Sequence, residues 1–141
     1  TDDLFAQWLQ GLSGRQVIVI LDAPYASQFA PQSGASPMAG GVSRLESLGQ
    51  REIALLGATG EQMFDVQRDP HGLSLMTELL IETIRTAPGP VALDQAAQAV
   101  TTKLEARLAE INQKLSAAGK QPIAYKPYLM NNCTRPALLK P

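Results

Sequence analysis

Five aliphatic residues in a row, Val17–Leu21, stop on Asp22, a small residue and Pro24. A run of that length and branching predicts a strand over Gln16–Leu21, buried on both faces like the strands inside a parallel sheet. Pro24 ends it, because proline cannot donate to a central ladder. Asp22 is thereby left at the strand's C-terminal end, where ligands and chemistry gather in open α/β sheets. The acid is a candidate for holding a cation or ordering a nucleophile, and equally for capping a turn.

The flanking segments extend the pattern. Upstream, Asp2 and Asp3 can cap a helix whose apolar positions Leu4, Phe5, Trp8, Leu9 and Leu12 recur at helical spacing. Gly14 suits a left-handed C-cap. Residues 26–50 are rich in Ser, Gly, Pro and Gln. They predict a loop about twice the length at which loops become unusual, either a surface excursion or a working loop beside the strand's end. Arg51–Ala58 predicts a second buried strand.

His71-Gly72 opens a helix expected over Leu73–Arg85. Leu73, Met76, Leu79, Leu80 and Ile84 lie on its inner side, and Ala87–Pro90 breaks it. Leu93–Ala118 reads as one long helix with Val100, Leu104, Leu108, Ile111 and Leu115 as its apolar stripe, ended by Gly119. Ile123–Tyr125 and Tyr128–Met130 predict short edge strands, since Pro122 and Pro127 suit edges.

This order implies an α/β fold with helices layered on a mostly parallel sheet. Two confident strands leave an unpaired apolar edge, so further strands are expected upstream of Thr1 or from another chain.

Composition narrows the function. The 12 basic and 13 acidic residues leave a net charge of −1, with no basic field to attract nucleic acid or a membrane surface. No apolar run approaches the roughly 20 residues of a spanning helix, and Thr1-Asp2-Asp3 begins no signal-peptide pattern. The single cysteine excludes an internal disulfide and a multi-cysteine metal site, and the single histidine excludes His-rich ligation. There is no Gly-rich phosphate loop, and no acid cluster at the strand ends. A nucleotide-binding or receiver-type domain is therefore disfavoured, and no cofactor or metal is expected.

VIVILDAPYAS, Val17–Ser27, resembles the strand and following loop of the caspase-like cysteine peptidases, the group of metacaspases and their bacterial relatives. There an apolar strand ends in Asp-x-Cys, usually followed by an aromatic or His residue and then Ser/Ala-Gly. IALLGAT, Ile53–Thr59, resembles a second family strand. Gln62, Asp65 and Gly72-Leu73-Ser74 follow it in the family's order. The break at Pro88–Pro90, the long helix, and Gln121-Pro122-Ile123 complete a likeness that covers nearly the whole chain.

The resemblance implies a three-layer α/β sandwich with a mostly parallel sheet. Residues 1–141 would form the C-terminal part of a single caspase-like domain, whose N-terminal strands and His-Gly segment are expected upstream. In the family a thiolate attacks the scissile carbonyl, a histidine shuttles the proton and backbone N–H groups hold the oxyanion. The acid two residues before the cysteine binds a substrate Arg or Lys. It corresponds to Asp22, with Asp65 as a second acid.

Pro24 stands where the family has its cysteine, and Ala26-Ser27 where Ser-Gly is common. No catalytic residue is therefore assigned. The expected function is that of a pseudo-peptidase, binding a peptide or protein with basic residues without cutting it. One alternative is an active cysteine endopeptidase with a relocated nucleophile. Cys133 is the only thiol; Ser27 and His71 are weaker stand-ins, the latter copying the His-Gly pair in letters only. The other alternative is an interaction module using the helix 93–118.

Overall fold

The computed structural model describes Trp8 and residues 11–12, 14–22, 52–59 and 73–140. These form a mixed α/β arrangement. In chain order come β1 (Val17–Leu21), β2 (Ile53–Thr59), α1 (Leu75–Thr86), β3 (Val91–Ala92), α2 (Leu93–Ala117), β4 (Lys126–Asn131) and β5 (Leu138–Lys140). Trp8 is helical and exposed, and Gly14 adopts φ 81°, the left-handed backbone expected of a cap. The rest of the predicted N-terminal helix and the 26–50 loop lie outside the described residues.

β1 and β2 pair in parallel, from Val17 opposite Ile53 to Leu21 opposite Gly57. β4 lies antiparallel on the other side of β2, from Asn131 opposite Ala54 to Lys126 opposite Thr59. The described sheet is thus mixed, in the order β1-β2-β4, with one parallel and one antiparallel pairing where a mostly parallel sheet is expected. β3 and β5 form a small separate antiparallel pair.

β2 is the central strand, and Ile53, Ala54, Leu55 and Leu56 are all buried. Strand alternation sends Ala54 and Leu56 to one face, where they join Met76, Leu80, Val100, Leu104 and Leu108 in a single core cluster. Each fully buried aliphatic side chain of this kind contributes about 1.5–3 kcal/mol over its exposed state. β1 corrects its expected double burial. Ile18 packs against the core, but the strand is only half-buried and Ile20 keeps 41% of its surface.

α1 starts two residues later than expected. Ser74 has extended backbone (φ −70°, ψ 158°), and its hydroxyl accepts from Thr77 N–H at 3.2 Å, an N-cap that sets the first turn at Leu75. His71 and Gly72 lie outside the described residues. Ala87 ends the helix in extended conformation because Pro88 follows it. α2 packs along α1 and over β2, β3 and β4. Lys120 N–H bonds to Leu115 C=O at 2.9 Å and Gly119 N–H to Ser116 C=O at 3.0 Å, a Schellman ending with Gly119 at φ 68°.

The tail departs from the reading of two edge strands. Tyr128–Met130 falls within β4, but Ile123–Tyr125 is not a strand. Instead, Asn112 on α2 brackets Ile123, donating to its C=O at 3.0 Å and accepting from its N–H at 2.7 Å. Those two bonds satisfy the backbone groups that a strand neighbour would have paired.

Candidate functional site

Because β1 and β2 run parallel, their C-terminal ends open at the same edge of the sheet. Asp22 is the first residue past β1 and its side chain is exposed there. The N-terminus of α1 comes to the same edge. Ser74 Oγ and Thr77 Oγ1 both donate to Asp22 Oδ2. Ser74 Oγ at the same time accepts from the Thr77 backbone. A carboxylate beside the first turn is also favoured by the helix dipole. No described lysine or arginine forms an ion pair with Asp22.

Tyr125 approaches this edge from the segment leading into β4. Burial, and secondly the charge of Asp22, push its phenol well above the ordinary value of 10.0, so it stays protonated. Its hydroxyl is buried without a hydrogen-bond partner among the described residues. Tyr125 also lines an open groove of about 570 Å³ between α2 and residues 123–126, with Leu108, Asn112 and Ile123 among its walls. The carboxylate and the groove therefore share one residue.

Cys133 occupies the opposite end of the sheet. β4 runs antiparallel to β2, so the turn after it returns to the strands' N-terminal ends, where Asn132 N–H bonds to Ile53 C=O at 3.0 Å. Cys133 is partly buried against the core, and burial first, then Glu52, raise its thiol above the ordinary 9.0. A raised thiol is a poorer source of thiolate. β1 alone, at about 3.3 Å per residue, separates that end from Asp22.

Of the residues singled out from sequence, Asp22 is placed at the strand end. Asp65, Pro24, Ser27 and His71 lie outside the described residues. Ser74, Thr77 and Tyr125 are additions. Ser74 was legible as a helix cap, a Ser just ahead of an apolar-periodic run. Nothing local links Thr77 or Tyr125 to Asp22. Among the described residues, no cluster of three His, Cys, Asp or Glu side chains is placed to hold a metal ion. No described helix is long and apolar enough to cross a membrane. Comparison with protein-family models, with curated proteins and with solved structures gives no match.

Proposed function

We propose that the chain is a catalytically inactive caspase-like domain, part of a three-layer sandwich, that binds basic side chains of a peptide or protein through Asp22. The observation that carries this reading is the Asp22 carboxylate itself. It is exposed at the C-terminal end of a parallel strand, oriented by two hydroxyls from α1, and unpaired with any described cation. The groove that begins at Tyr125 is suited to the residues flanking a bound basic side chain. Asp65 serves as a second acid. Pro24, two residues past Asp22, offers neither a nucleophile nor a proton to transfer, so binding proceeds without cleavage.

Two observations favour this reading over its rivals. Cys133 lies at the far end of the sheet with a raised thiol, which disfavours a relocated nucleophile. Val100, Leu104 and Leu108 of the long helix are buried in the chain's own core, which leaves that stripe no free face for a partner.

Isothermal titration calorimetry on the full chain tests the proposal. Short capped peptides with a central basic residue should bind, and Asp22→Asn should weaken them about tenfold, as expected for losing a charge-assisted contact of roughly 1.4 kcal/mol. Equal affinities for wild type and Asp22→Asn, with both folded by circular dichroism, would refute the basic-pocket reading.

A further inference from the structure

We infer that Ser74 and Thr77 make the Asp22 site selective for lysine over arginine; this rests on the basic-side-chain reading above. An ionised carboxylate offers about four acceptor positions, two on each oxygen. Ser74 Oγ and Thr77 Oγ1 both donate to Oδ2, so that oxygen's two positions are filled from within the protein. No described donor is recorded on Oδ1, and that oxygen is left for a ligand.

The two hydroxyls are held in place. Ser74 Oγ also accepts from Thr77 N–H at 3.2 Å, so turning it away from Asp22 breaks the cap of α1. Thr77 is β-branched and sits in the first helical turn, where its χ1 choices are few.

The two basic side chains make different demands on such a carboxylate. A guanidinium binds best through two parallel N–H donors, one to each carboxylate oxygen. At Asp22 its second donor meets an oxygen already saturated by hydroxyls. An ammonium is a compact point charge with three rotatable donors, and it needs only one oxygen. Oδ1 alone satisfies it, and its other donors remain free for water or neighbouring carbonyls. Ser74 and Thr77 thus act as positioning residues that set specificity without touching the ligand.

The test uses capped hexapeptides identical except for a central lysine, arginine or norleucine, titrated calorimetrically into the full-length wild type, Asp22→Asn, Thr77→Val and Thr77→Ser. The lysine peptide should bind wild type about fivefold tighter than the arginine peptide, the worth of roughly one net hydrogen bond. Thr77→Val should shrink that ratio towards one by freeing a position on Oδ2, and Thr77→Ser should restore it. Thr77→Ala replaces the valine variant if that one melts early.

Arginine binding as tightly as lysine, with both lost in Asp22→Asn, overturns the selectivity and leaves the basic-side-chain reading standing. A lysine preference that persists unchanged in the hydroxyl-less variant also overturns it. Affinities for both basic peptides that match norleucine, or that ignore Asp22→Asn, remove the underlying reading and this inference together.

Discussion

Two carboxylates at opposite ends of the sheet are used differently. Asp22 is oriented by hydroxyls and left exposed, whereas Glu52 is bound into structure. Thr134 donates to Glu52 Oε1 from its hydroxyl and, at 3.3 Å, from its backbone, while Arg135 Nε lies 3.6 Å from Oε2. The Thr134 hydroxyl bond is the main cause that holds the Glu52 carboxyl below its ordinary value of 4.5, outweighing the opposing effect of burial, and Arg135 adds to it. The folded state therefore binds the Glu52 proton less readily than the unfolded chain. Its contribution to stability is present above pH 4.5 and is lost as pH falls through the lower folded value. Glu52→Gln should lower stability at neutral pH and flatten the loss of stability on acidification. Urea melts on either side of pH 4.5 check this, and an acid limb as steep in the variant as in wild type rules Glu52 out as its source.

Helix ends, more than helix interiors, decide how the elements meet. The Ser74 cap starts α1 where Thr77 can also reach Asp22, so one local motif both begins the helix and orients the site. Asp94 in the first turn of α2 accepts twice from Asn131 Nδ2, each at 2.9 Å, which fastens the end of β4 to that helix. At the other end, Gly119 turns the chain back with φ 68°, and a Cβ there would meet nothing within 4 Å. The cost of a side chain is thus conformational and not steric crowding by neighbours. Gly119→Ala should destabilise by about 1 kcal/mol, the penalty of left-handed backbone for an L-residue. Chemical denaturation reads this as a lower midpoint at constant slope; an unchanged midpoint would show that the Schellman turn adds nothing to stability.

At the scale of the whole molecule, β1 is the weak side of the sheet. Among the described residues it pairs only with β2, and Ile20 is 41% exposed on an all-aliphatic strand. Apolar edges of this kind template association, and a charge placed on them is a common protection. Ile20→Lys should raise the temperature at which light scattering begins on heating; an unchanged onset would place the aggregating surface elsewhere. The residues of β1, β2, α1 and α2 were legible along the chain, because apolar run length and periodicity act locally, and so was Asp22 at a strand's end. β3 and β5 were not, since strands of two and three residues carry no period. Nor was the direction of β4, because parallel and antiparallel neighbours can present the same alternation. The half-burial of β1 was equally hidden, since five aliphatic residues read the same in a central strand and at an edge. Ser74, Thr77 and Tyr125 meet Asp22 only through the packing of α1 and the β4 approach. Sequence by itself determined which segments could be strands and helices and where an acid would stand. Tertiary structure alone decided which of that acid's oxygens is occupied, because hydrogen bonds between distant residues depend on positions that no local pattern encodes.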